Sequence, residues 1–126
     1  MIDRQALLTL LDQKIARAGQ EYALHTGNQT ACQLHKDGRV AGGLKYDEGR
    51  LVALTAVRRI VRKLETAGED ALLGSLQEDR DRWRRSLVTY QTADRPSITW
   101  IAYSQGGVDA IEEMLAIVAD GGSSTS

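Results

Sequence analysis

A serine just ahead of a glycine pair is the first place in this chain where chemistry could reside. Tyr103-Ser104-Gln105-Gly106-Gly107 joins a run rich in Ile, Thr, Trp and Tyr to a run with helical spacing. A strand that turns sharply into a helix exposes a serine hydroxyl and aims free backbone N–H groups at a developing oxyanion. The match is incomplete, because Ala102 stands where the first glycine of G-x-S-x-G belongs. Both histidines, His25 and His35, precede the serine, and the stretch after it is too short for the rest of a hydrolase sheet. Ser104 therefore defines an enzyme alternative. The simpler reading is a glycine turn with a capped helix start. Such a start also attracts anions, but no lysine falls at P-loop spacing and no G-x-G-x-x-G occurs.

His25, Cys32 and His35 are the soft metal ligands apart from methionine. On a strand, Cys32 and His35 point to opposite faces, since side chains alternate. Neither a shared zinc nor a Cys-His nucleophilic pair follows from that arrangement. No metal and no cofactor is expected.

Charge is more informative than nucleophiles. Residues 1–66 carry eleven Lys and Arg against seven Asp and Glu (+4), and residues 67–126 five against ten (-5), which together give the -1 of the whole chain. Lys36 and Arg39 flank a turn, and Arg58, Arg59, Arg62 and Lys63 line one side of a helical stretch. This basic set fits nucleic-acid phosphates or a protein partner, including the acidic half of a second copy. The turn region has no row of aromatics for base stacking, which favours the protein partner. A second cluster, Asp79-Arg80-Asp81-Arg82 with Arg84-Arg85, interleaves its signs and reads as a solvated helix held by i,i+4 pairs. Trp83 lies inside it, either in the core or as a partner anchor.

The elements that must position these residues follow from periodicity and punctuation. Asp3 caps a first helix with Leu7, Leu8, Leu11, Ile15 and Ala18 on one face, and Gly19 supplies a stop. Residues 21–26, 30–36 and 39–46 read as strands, the last two joined by Asp37-Gly38 in a tight hairpin. A strong helix begins at Asp47-Glu48 and runs to Ala67, with Ala53, Leu54, Ala56, Val57, Ile60, Val61 and Leu64 on one inward face. Residues 70–73 make a short turn. Ser75-Leu76-Gln77-Glu78 has the form of a capping box and opens a helix to Thr92 with a thin stripe of Leu76, Trp83, Leu87 and Tyr90. After Pro96, residues 97–103 read as a central strand, and Gly106-Gly107 leads into a last helix over 108–119.

These elements predict a single α+β domain over 1–120, in the order α-β-β-β-α-α-β-α, with helices packed on one face of a mixed or antiparallel sheet. Residues 121–126 form a flexible Gly/Ser tail. One cysteine excludes an internal disulfide. Asp12, Lys14 and Arg17 interrupt any signal-peptide core, and Asp109, Glu112 and Glu113 oppose a membrane span, so a cytoplasmic protein is expected. The functional expectation is a non-enzymatic protein-interaction module, a self-associating regulator, adaptor or inhibitor. A nucleic-acid binder using the basic helix and hairpin is the alternative, followed by the Ser104 enzyme.

Overall fold

Asp3 starts the first helix, its carboxylate accepting the Ala6 N–H at 3.1 Å and so satisfying one donor that the helix itself leaves unpaired. This helix, α1, spans Arg4–Thr26. It passes through Gly19 and takes in the residues expected to form the first strand. The glycine does not stop it because later residues still find packing: Tyr22 lies against Leu44. The computed structural model describes residues 3–26 and 43–120. The expected Asp37-Gly38 hairpin and the 121–126 tail lie outside the described residues. The end of the expected third strand is helical, with a π-helical turn at residues 43–44 leading into the next helix.

That helix, α2, spans Lys45–Lys63, with Asp47 and Glu48 in its first turn and Arg62 and Lys63 in its last. Both ends suit the helix dipole. Its face of Ala53, Leu54, Val57 and Val61 is fully buried, and Ile60 and Leu64 are half-buried beside it. α3 spans Glu69–Gln91 as one helix, where the sequence suggested a short turn and a new start at Ser75. The capping-box residues do no capping there, because the helix is already running: Leu72 N–H bonds Gly68 C=O at 3.2 Å. Leu72 and Leu76 are buried.

α4 spans Ile98–Asp120 and is the largest departure from expectation. Ser97 caps it, its Oγ accepting the Trp100 N–H at 3.3 Å, with Pro96 just outside. Residues 98–103, expected as a central strand, are its first turns, and Gly106-Gly107 lies in its interior rather than at its start. The described chain is therefore all-helical. The α+β class, its sheet and its strand order are corrected to four helices, and no strand occurs among the described residues. β-branched and aromatic residues favour strands only weakly, and burial against neighbours overrides that preference.

The glycine pair sits inside α4 because α2 crosses there at backbone distance. A Cβ built on Gly106 falls 2.1 Å from the Tyr46 carbonyl oxygen, and one on Gly49 falls 1.9 Å from that of Tyr103. Only glycine allows this approach. α2 and α4 form the central pair, α1 packs on α2, and α3 packs on α4. One hydrophobic cluster joins all four helices, including Leu7 and Leu11, Leu54 and Val57, Leu72 and Leu76, and Ile111 and Met114. α2 and α3 touch little, although both flank α4. No helix among the described residues is long and apolar enough to cross a membrane.

Candidate interaction groove

The sparse contact between α2 and α3 leaves a groove whose floor is aromatic. Trp83 of α3 packs its indole on Gly107, where a Cβ would meet ring atoms at 2.1 Å. Its ring lies 5.4 Å from that of Tyr103, which in turn meets Trp100 edge-on at 5.4 Å. Trp100 stacks on Tyr90 at 6.1 Å. Four rings from α3 and α4 thus form one continuous row. Trp100 remains 43% exposed and neighbouring Ile98 70% exposed. Burial together with the negative charge of Glu48 pushes the Tyr103 hydroxyl above its ordinary pKa, so it stays a neutral donor.

Helical periodicity explains the walls. On α2, Lys45, Glu48, Val52, Ala56, Arg59 and Lys63 follow at three- and four-residue steps and so share one side of the helix. Ala56 is the member that lines a hollow of about 310 Å³ with Asp79, Arg82, Trp83, Ser86 and Tyr103. A second hollow of about 490 Å³ continues along α3, past Arg82, Arg85, Ser86, Thr89 and Tyr90. At one end the Lys45 ammonium sits 5.2 Å above the Trp100 ring and pairs with Glu48 at 2.9 Å. On the α3 wall, buried Asp79 accepts from Arg82 Nη2 at 2.8 Å, while its Oδ2 has no hydrogen-bond partner.

The basic set expected from the sequence is divided by this geometry. Arg58 turns toward α1, where its Nε donates to Asp12 at 2.6 Å. Arg59, Arg62 and Lys63 are exposed, and Arg59 and Lys63 belong to the groove side of α2. Lys36 and Arg39 lie outside the described residues. Trp83 is half-buried in the floor, and the more exposed ring of the row is Trp100. Ser104 is 1% exposed within α4, and its Oγ has no hydrogen-bond partner. The strand-turn-helix context that would have exposed it does not form. Cys32 and His35 lie outside the described residues, as does the side chain of His25. Among the described residues no three His, Cys, Asp or Glu side chains gather as a metal site requires.

Another cavity lies elsewhere and is a polar seam. It measures about 510 Å³ between α1, α2 and α4, with Lys14, Arg17, Tyr46, Arg50 and Glu113 in its lining. Its charges are engaged with one another. Lys14 and Arg50, the latter at 3.3 Å, both donate to Glu113, and Arg17 meets Glu21 at 3.6 Å. Beside them the Tyr46 hydroxyl donates to Asp109 at 2.5 Å, and Gln105 Nε2 donates to the other Asp109 oxygen at 2.8 Å. Burial raises the Glu113 pKa, but the hydrogen bonds and charges of Lys14 and Arg50 outweigh it and hold the carboxyl below its ordinary value. A carboxylate whose folded pKa is depressed stabilises the fold fully above its unfolded value, about 4.3. That contribution is lost as pH falls through the folded pKa. Glu113→Gln should therefore flatten the acid limb of the stability curve and cost about 1 kcal/mol or less at neutral pH, given the partial exposure. Urea unfolding of both proteins from about pH 7 to pH 3 checks this; parallel acid limbs would refute it.

Comparison with family models, with curated proteins and with solved structures finds no match for this chain. Its geometry is, among the described residues, four helices with an aromatic-floored groove between two helices that share a third. The sequence reading missed Trp100, Tyr103, Ala56 and Lys45 as parts of one site. The signal was present in the helical spacing of Tyr103, Gly107, Ala110 and Met114, once that run is read as continuing through the glycines.

Proposed function

We propose that this chain is a non-enzymatic protein-interaction module that seats a partner in the groove between α2 and α3. The observation that carries the reading is the row Trp83, Tyr103, Trp100 and Tyr90 beneath a groove that no helix among the described residues fills. Trp, Tyr and Arg are the residues in which binding energy concentrates at protein interfaces, and Arg82 and Arg85 stand beside this row. The polar seam offers no comparable opening, since its charged groups are paired within the chain.

Nucleic acid is the second reading, supported by aromatic rings beside exposed Arg59, Lys63 and Arg85. Two features weaken it. Tyr90 and Trp100 stack on each other, and Trp83 lies on Gly107, so few ring faces are open to bases. Self-association, suggested by the opposite charges of the two halves, would use the same groove. A photo-crosslinking residue at Ser86 should give a discrete protein adduct in cells, and one at exposed Gln5 on α1 should not. The adduct mass separates a second copy from a different protein. Adducts to RNA alone, or equal adducts from Gln5, would overturn the reading.

A further inference from the structure

We infer that the occupant of the groove is an amphipathic helix with acidic flanks, contributed by a different protein. This rests on the docking reading above and adds the chemistry of the partner.

The shape of the groove favours a helix. Its two walls are helices α2 and α3 and its floor is α4, so a helix laid between them completes a packed layer and buries its apolar face on Trp83, Tyr103 and Ala56. The α2 wall runs for 19 residues, about 28 Å at 1.5 Å per residue, which matches a helix of about five turns. Hydrogen-bonded helix backbone can be seated on such an apolar floor, whereas an irregular segment would leave its amides unpaired there.

The charge of the rim favours acid. Along the walls Lys45 pairs with Glu48 and Arg82 with Asp79, and Arg59, Lys63 and Arg85 carry the remaining positive charge. Arg59 and Lys63 are exposed on the α2 wall and Arg85 on the α3 side. Acidic residues on either side of an apolar stripe would meet these cations, which steers encounter and fixes orientation.

The pattern of exposed side chains disfavours a second copy. Among the described residues, the large exposed apolar ones are Leu24, Val52, Val88, Ile98 and Trp100. No described helix carries two of them at a spacing of three or four residues, so none presents the stripe that the groove would take.

The test uses the full chain and a panel of dye-labelled peptides of about 18 residues, one groove length. Each places Leu or Trp at i, i+4, i+7 and i+11 and Glu on the flanking positions. Fluorescence anisotropy should show saturable binding, with scrambled peptides of the same composition weaker by about tenfold or more. The Arg59→Glu, Lys63→Glu double variant should weaken binding about tenfold, and a Lys-flanked peptide should regain affinity for that variant. Ala56→Trp should block the groove, with helical content unchanged by circular dichroism. Equal binding of scrambled peptides would reduce the effect to charge alone and overturn the inference. Tighter binding of a single-stranded RNA oligonucleotide, or a Ser86 adduct to a second copy, would overturn it too. Absence of peptide binding with a persisting Ser86 adduct to another protein refutes the acidic helix and leaves docking intact. Loss of that adduct refutes docking itself.

Discussion

Gly106→Ala should destabilise the protein by about 1–3 kcal/mol or more, although alanine is the better helix former. The same change at Gly19 or Gly74 should stabilise it by about 0.5–1 kcal/mol. All three glycines lie inside helices, so intrinsic propensity predicts the same gain at each. The difference lies in what the added methyl meets. At Gly19 and Gly74 nothing stands within 4 Å of a Cβ. At Gly106 the Cβ meets the Tyr46 carbonyl oxygen at 2.1 Å and the Arg50 nitrogen at 3.1 Å. These are backbone atoms of α2, which cannot swing aside as a side chain can. The helices must separate, and the Leu54–Ile111 region of the core loosens with them. Gly49→Ala should behave like Gly106→Ala, because its Cβ meets the Tyr103 carbonyl oxygen at 1.9 Å. Gly107→Ala differs in kind, since it strikes the Trp83 ring at 2.1 Å. It should change the near-ultraviolet signal of the aromatic row. Urea midpoints for the set check the order, and a neutral Gly106→Ala would show that the helices do not cross so closely.

The same glycines mark where the sequence was legible and where it was not. The inward face of α2 could be read because its apolar residues recur on a single stripe and its glycine lies near one end. α4 could not, because two glycines in succession are the ordinary punctuation of a turn, and the run before them is rich in strand-forming residues. What places a helix there is a contact with Tyr46 and Gly49, about sixty positions away, to which local periodicity is blind. Propensity also misled at Gly19 and at Ser75, where helices continue through residues that often end or begin them. The candidate groove suffered from the same cause. Trp83 and Tyr90 were already on one stripe, but Trp100 and Tyr103 joined them only when residues 98–103 became helical. The basic set mixed two sides of α2: Arg58 faces Asp12 of α1, whereas Arg59 and Lys63 belong to the groove side.

That division of α2 into sides supports the second large prediction. Leu54→Ala should cost about 2–5 kcal/mol, the transfer energy of the lost atoms plus the cavity they leave. Leu54 is fully buried in the shared core with Val57, Val61 and Ile111, so little can collapse into the space. Arg58→Ala, one helical turn further on, should cost about 1 kcal/mol or less, because its pair with Asp12 is solvent-exposed. Ala56, two residues from each, lines the groove instead and can be enlarged with little loss of core packing. Three positions within five residues of one helix should therefore give three distinct outcomes: core loss, near-neutrality, and altered partner binding without unfolding. Urea denaturation of Leu54→Ala and Arg58→Ala, beside the peptide assay on Ala56→Trp, reads all three. If Arg58→Ala proved as costly as Leu54→Ala, α2 would be rotated about its axis, and Arg59 and Lys63 would no longer border the groove.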